Sequence, residues 1–266
     1  MQERRRTNAE RTHATRAALV AAARDLFVRA GYAATSTPQI AAAANVTRGA
    51  LYHHYADKQD LFRAVAEAEA EAVAREIEER TAADPGTAAA ERPDAPDISD
   101  APDAPDARAM LVEGARAYLD AMGEPGRTRL LLVDAPAVLG PAEADALDAR
   151  HARRTLREGL GAALGAQPGG GSTSHGSGAG DDAVPGPGTA RGPGDGSAVD
   201  QGVHDAVARD LADEQRLDAL TLLLSAAFDR AALALDAGAA PAPVRAAVTE
   251  LVDRVCAPAS EPRPRS

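Results

Sequence analysis

The stretch between residues 35 and 55 leaves the chain little choice of local structure, and it constrains everything around it. Thr35 or Ser36 offers a helix cap, Pro38 falls in the first turn where its missing N–H does no harm, and Ile40, Ala41 and Ala44 face one side before Asn45. The resulting helix is about nine residues long. Asparagine is the best non-glycine occupant of the left-handed backbone region, so Ala44-Asn45-Val46 predicts a tight turn. Thr47 then caps a second short helix with the sequence RGALYHHY. Two short helices joined by a turn of three or four residues make a helix-turn-helix.

The flanking sequence supplies the supports. Leu19, Ala22, Ala23, Leu26 and Phe27 recur at i, i+3, i+4, i+7 and i+8, which predicts a helix capped by Thr12 or Thr15 and stopped by Gly31. Asp57 caps a long helix from about Lys58 to about Ala82, with Leu61, Phe62, Val65, Ala72, Val73 and Ile77 on one face. Further helices are predicted over 107–122, 128–138, 141–164 (opened by Pro141), 211–235 and 243–256. Leu217, Leu220, Leu223, Leu224, Phe228, Leu233 and Leu235 make the 211–235 helix apolar around much of its circumference, as expected in a core or a subunit interface. No run alternates apolar and polar residues, so the expected fold is all-α.

Two stretches stand apart. Residues 84–106 hold five Pro and seven acidic side chains, and residues 167–202 hold twelve Gly and four Pro. Neither composition buries enough apolar area to offset chain entropy, so they read as a flexible acidic linker and a flexible Gly-rich insert. The expected organisation is a basic arm at 1–11, a helix-turn-helix domain at 12–62, a helical domain at 63–256 containing both flexible stretches, and a disordered tail at 257–266.

Charge is segregated along this plan. The whole chain carries a formal net charge of −11, an unpromising value for a nucleic-acid binder. Residues 1–63, however, hold ten basic and five acidic side chains, net +5, which leaves −16 on the remainder. A basic module binds a phosphate backbone while an acidic body is repelled from it. On the second short helix, Arg48, Tyr52, His53 and His54 supply donors for phosphates or base edges, and Gly49 and Ala50 keep the leading edge slim. Tyr55 shares the inward side of Leu51 and reads equally well as a core aromatic. Lys58, the only lysine in the chain, stands in a first helical turn where it opposes the helix dipole, so an anion is expected to answer it; a DNA phosphate is one.

Other classes find less support. No Gly-rich phosphate loop on a strand, HExxH or activated-serine motif is present; GSTSHGSG at 171–178 lies in the flexible insert. His53 and His54 point about 100° apart and do not chelate one metal well. Cys256 is the one cysteine, which excludes an internal disulfide and a thiolate zinc site. It reads as a small buried apolar residue. The longest apolar stretch, Leu220 to Phe228, is too short to cross a bilayer. The expectation is a soluble cytoplasmic protein, not an enzyme, without cofactor or metal. A helix-turn-helix turned to protein contact is the other alternative.

Residues 15–62, with RAALVAAARDLFVRAGYAATS followed by PQIAAAANVTRGALYHHYADKQDLF, closely resemble the DNA-binding domain of TetR/AcrR-family transcriptional regulators. The resemblance rests on LF and GY closing helix 1, IA and ANV in helix 2, LYHHY closing the recognition helix, and a Lys opening helix 4. LLLVDAPAVLG and LDARHARRTLREGLGAAL resemble a C-terminal half found in one branch of the family. The resemblance implies phosphate contacts from Thr47, Tyr52 and Lys58 and groove contacts from Arg48, Gly49, His53 and His54, with Thr37 and Gln39 assisting. Pro38 stands where many members carry a polar or basic residue, and Thr37 replaces a frequent apolar one. It further implies a C-terminal helical ligand-binding and dimerisation domain and a homodimer through 211–235 and 243–256, with a palindromic operator on double-stranded DNA. It implies repression relieved by a small-molecule effector, and candidate pocket residues are Met110, Gly114, Tyr118, Met122 and Leu132.

Overall fold

The computed structural model describes residues 8–83, 107–165 and 197–257. The expected acidic linker, most of the basic arm and of the Gly-rich insert, and nearly all of the tail lie outside the described residues. Among the described residues every regular element is helical: α1 Asn8–Ala34, α2 Thr37–Ala43, α3 Arg48–His54, α4 Lys58–Ala83, α5 Ala107–Met122, α6 Arg127–Arg129, a π-helical turn Leu130–Asp134, α7 Ala135–Leu139, α8 Pro141–Arg150, α9 Ala152–Gly165, α10 Ser197–Asp236 and α11 Pro241–Val255.

The local rules hold where the chemistry is local. Asn45 has φ 53°, the one non-glycine residue with positive φ among the described residues, and Val46 N–H closes the turn onto the Ala41 carbonyl at 2.9 Å. Thr47 Oγ1 accepts from Ala50 N–H at 3.1 Å, and Asp57 Oδ1 accepts from Asp60 N–H at 2.8 Å. Gly31, φ 81°, interrupts α1 as expected, one turn before its end. The start of α1 is different: Thr15 is not a cap, because its hydroxyl donates to the Arg11 carbonyl one turn back at 2.9 Å, and helix-favouring residues carry α1 back to Asn8.

Three departures lie in the C-terminal half. The helix expected over 128–138 contains the π-helical turn, just before Pro136, which supplies no N–H to the turn behind it. The single helix expected over 141–164 is α8 and α9, meeting at His151 with φ −118° and ψ −101°. Arg153 bonds back across this corner to Asp148 at 2.9 Å and Asp145 at 2.6 Å, and His151 Nε2 lies 2.7 Å from Glu67 Oε1. The corner lets α8 pack on α7 while α9 lies along α5 and α10, with both touching α4. Finally, α10 begins at Ser197, so 197–202 is helical and is not part of a flexible insert.

Two cores result, and α4 threads both. Leu19, Phe27, Ile40, Leu51, Leu61 and Phe62 are at most 1% exposed and form the first, which also takes in Leu130, Ala135 and Leu147 from beyond α5. Phe27, Tyr32 and Phe62 pack as a triangle with ring centroids 5.3 to 5.6 Å apart. On α4, Val65, Ala66 and Ala70 stay in this core, while Val73 and Ile77 enter a second one with residues of α5, α9, α10 and α11, Cys256 included. The boundary expected after Phe62 is therefore not a packing seam.

The turn after α5 is pressed against α1. Gly126 has φ 80°, and a Cβ there would lie 2.4 Å from Val28 Cγ1. Gly126→Ala should therefore destabilise the protein by about 3 kcal/mol, combining backbone strain with overpacking. Urea denaturation checks this, and Gly126→Ala with Val28→Ala should recover the overpacking share but not the strain.

Candidate nucleic-acid interface and internal cavities

Leu51 and Tyr55 anchor α3 in the first core, leaving Thr47, Arg48, Gly49, Tyr52 and His53 exposed on its opposite side. A side chain at Gly49 would meet nothing closer than Thr47 Oγ1 at 3.9 Å, so the fold itself does not require glycine there. The Tyr52 hydroxyl pairs with that of Thr37 at 2.9 Å, tying the outer faces of α2 and α3 together. Hydrogen bonds with Thr37 and then Arg48 hold the Tyr52 phenol below its ordinary pKa. Tyr55 settles as a core aromatic, 3% exposed, with the Arg16 guanidinium 5.0 Å from its ring centroid.

Three expected contact residues also have structural partners. Lys58 Nζ donates to the Tyr32 carbonyl at 2.9 Å and the Thr35 carbonyl at 3.0 Å, and lies 4.1 Å from the Tyr32 ring centroid. Neutral acceptors within the fold, carbonyls at the end of α1 and a π face, answer this lysine in place of the anion expected. Gln39 Oε1 accepts from Ser36 N–H at 2.9 Å and from the Ser36 hydroxyl at 2.7 Å, so its amide oxygen closes the start of α2. His54 is half-buried edge-on to His53; burial, then the charges of His53 and Arg16, lower its pKa and keep its imidazole neutral at physiological pH. Thr37, Thr47, Arg48, Gly49, Tyr52 and His53 thus share one open face, while Gln39, Lys58 and His54 border it with fewer groups to offer.

Among the described residues, the helical body has cavities at two places beside the candidate pocket residues. One, of about 300 Å³, lies between α4, α5, α9 and α10 and is lined by Met110, Gly114 and Tyr118, with Ile77, Leu156 and Phe228. The other, of about 320 Å³, is lined by Tyr118, Met122 and Leu132, with residues of α4, α8 and α10. All five candidate pocket residues therefore face a cavity, and Tyr118 stands between the two. The side chain at Tyr118, 7% exposed, donates its hydroxyl to Asp229 Oδ1 at 2.5 Å. Burial first, then Asp229, pushes the Tyr118 pKa well up.

Sequence reasoning missed a buried ion cluster between the cores. Glu69, 8% exposed, accepts from Arg24 Nε of α1 at 2.7 Å and from Arg127 Nε at 2.9 Å. Arg127, 6% exposed, also reaches Glu76 at 3.1 Å and the Ala121 carbonyl at 2.6 Å. The available signal was register: Glu69 falls in the apolar stripe of Phe62, Val65, Ala66 and Val73, where a carboxylate needs a partner. Asp229 carries the same signal inside the apolar run of α10.

Comparison with known proteins agrees with this architecture. Residues 19–65 match the family model described as bacterial regulatory proteins, tetR family, and residues 109–167 match the one described as tetracyclin repressor-like, C-terminal domain. The chain is 43% identical over 61 residues to the transcriptional repressor BepR of Brucella suis, covering 23% of this chain and 29% of the relative. It is 50% identical over 48 residues to the regulator AcrR of Shigella flexneri, covering 18% and 22%. These matches span less than a third of each curated relative. Among solved structures, a TetR-family transcription regulator from Shewanella sp. PV-4 superposes with a TM-score of 0.51 at 17% identity over 90% of this chain and 95% of the other. The fatty acid degradation regulator FadR from Bacillus halodurans gives 0.52 at 10% identity over 89% and 93%, and both show the fold alone. This chain thus carries an N-terminal helix-turn-helix that matches the TetR-family model and a C-terminal helical domain that matches the tetracyclin repressor-like one.

Proposed function

We propose that the chain is a DNA-binding transcriptional repressor, acting in the cytoplasm as a homodimer on a palindromic operator and released by a small-molecule effector. The observation that carries this reading is the open face of α3, with Arg48, Gly49, Tyr52 and His53 raised on a helix whose other side is sealed by Leu51. Thr47, Tyr52 and the remaining N–H of Lys58 take phosphates; Arg48, Gly49 and His53 enter the major groove, with Thr37, Gln39 and His54 at its border. Leu211, Leu222 and Leu223 leave 52 to 67% of their surface exposed on α10, an apolar cost that a second copy, packing α10 and α11 against its own, would remove. The reading heads would then meet half-sites about 34 to 36 Å apart. Met110, Gly114, Tyr118, Met122 and Leu132 line the effector's space. No helix among the described residues is long and apolar enough to cross a membrane.

The test is selection of duplex DNA from a random pool by the full chain, followed by salt titration of the selected site. A near-palindrome whose affinity falls steeply with salt is expected; no enrichment refutes the reading. Tyr52→Phe should weaken binding at all sequences alike, and Arg48→Ala should relax the preference at one position of each half-site by about 1 to 3 kcal/mol. Lys58→Ala should lower the log–log salt slope by about one and also cost about 2 kcal/mol of stability, since α1 loses two charge-assisted bonds. An unchanged slope with reduced stability would leave Lys58 a purely structural role.

A further inference from the structure

The cavity of about 320 Å³ has a chemically lopsided wall. Most of it is apolar, from Val73, Met122, Leu131, Leu132 and Leu233. Its charged part consists of Asp145, Asp148, Asp229 and Arg153, with His151 at the edge. Arg153 is engaged by two of the carboxylates, through Asp145 Oδ1 at 2.6 Å and Asp148 Oδ2 at 2.9 Å, and Ser225 also donates to Asp148 Oδ2 at 3.0 Å. His151 turns to Glu67 at 2.7 Å. Asp229 receives only the Tyr118 hydroxyl among the described residues, and no cationic side chain bonds to it. Three carboxylates thus face one guanidinium; Asp145 reaches solvent, whereas Asp229 is half-buried against apolar residues, where an unanswered charge is costly.

We infer that this cavity takes a monocationic amphiphile, with an ammonium-type head group beside Asp229 and an apolar body against Met122, Leu131, Leu132 and Leu233. The inference rests on the reading of the chain as an effector-released regulator and names the chemical class of that effector. An anionic ligand meets Asp145, Asp148 and Asp229 together and is repelled; a neutral one leaves Asp229 as it was. A metal ion finds one uncommitted carboxylate in apolar surroundings and lacks a ligand set. Without a guest, Asp229 keeps its proton to a higher pH than an ordinary carboxyl: burial, opposed by the Tyr118 hydrogen bond, with a further push from Asp148 and relief from Arg153, moves its pKa to about 6. A bound ammonium favours the ionised carboxylate, so the guest and the proton compete for one site.

The experiment uses the full chain and three probes that share one alkyl body, decylammonium, decan-1-ol and decanoate, each followed by titration calorimetry. At pH 7.5 decylammonium should bind at least about tenfold more tightly than decan-1-ol, and decanoate more weakly than either. Asp229→Asn keeps an acceptor for Tyr118 and should erase the ammonium's advantage while leaving decan-1-ol unchanged. On the unaltered chain, moving from pH 7.5 to pH 5 should weaken decylammonium about tenfold, because Asp229 must give up its proton, and the Asp229→Asn variant should lose that dependence. If Asp229→Asn does not fold, the pH profile of the unaltered chain decides alone. Equal or tighter binding of decan-1-ol or decanoate, or a flat pH profile, overturns the inference. A parallel assay on the selected DNA separates the two readings. Decylammonium that binds as described but leaves DNA bound supports the ligand chemistry and refutes effector release; release by decanoate supports regulation and refutes the cationic site.

Discussion

Glu69→Gln should lower stability by about 3 kcal/mol at neutral pH, measured by urea denaturation, although it removes only a charge. Glu69 is the shared anion for Arg24 on α1 and Arg127 at the start of α6, and Arg127 is almost fully buried. A neutral amide leaves two guanidinium groups facing each other with only the more exposed Glu124 and Glu76 to answer them, and an amide's N–H₂ presents donors where only acceptors fit. The pH dependence has a definite sign. Burial pulls the Glu69 pKa up, but hydrogen bonds from Arg24 and Arg127 outweigh it and hold the carboxyl below its ordinary value. Its contribution is therefore complete above the unfolded carboxylate range near pH 4 and is lost as pH falls through the lowered folded value. The stability gap between the unaltered chain and Glu69→Gln should be widest at pH 7 and close toward pH 3; a gap that is constant with pH would mean the cluster contributes shape and not charge.

Phe62→Ala should cost about 4 kcal/mol, the largest effect expected of any single truncation in the first core. Phe62 is fully buried on α4, contacts the rings of Phe27 and Tyr32, and joins the support of α3 to the helix that runs on into the second core. Removing the ring leaves a cavity bounded by elements that are already tied by Lys58 and by Glu69, so the site cannot collapse to fill it. Phe62→Leu keeps most of the volume and should cost about 1 kcal/mol. Far-UV circular dichroism in urea gives both values, and selected DNA adds a functional readout. Phe62→Ala should lose binding at temperatures where Phe62→Leu still binds, with no change in sequence preference, because no base-reading side chain has been altered.

The reading elements were legible because their determinants sit within a few residues of one another. Gln39, Asn45, Thr47 and Asp57 each act on backbone groups no more than three or four positions away, so order along the chain suffices. Thr15 shows the limit of that logic: a hydroxyl that could cap a helix instead bonds the carbonyl one turn back, and nothing at position 15 distinguishes the two. The corner at His151 carries no Pro or Gly; it turns the chain from α7, which α8 packs on, to α5 and α10, which α9 packs on. The glycines counted toward the insert include Gly202, which lies inside α10. Lys58 stands out in the sequence for a sound reason, a cation opposing a helix dipole, but order along the chain points to DNA for its anion because the carbonyls beside it belong to residues 23 and 26 positions away.

By itself the sequence determined the helical class, the helix-turn-helix with its capped ends, and a +5 head on a −16 body, because these depend on short-range hydrogen bonding and on sums of charge. Only the tertiary structure decided that α4 belongs to two cores, that Glu69 is shared by Arg24 and Arg127, and that Tyr118 and Asp229 meet at the wall between two cavities. Those are meetings of residues 45 to 111 positions apart. Their partners are chosen by which faces the helices bury, and a buried charge acquires its meaning only from what is packed against it.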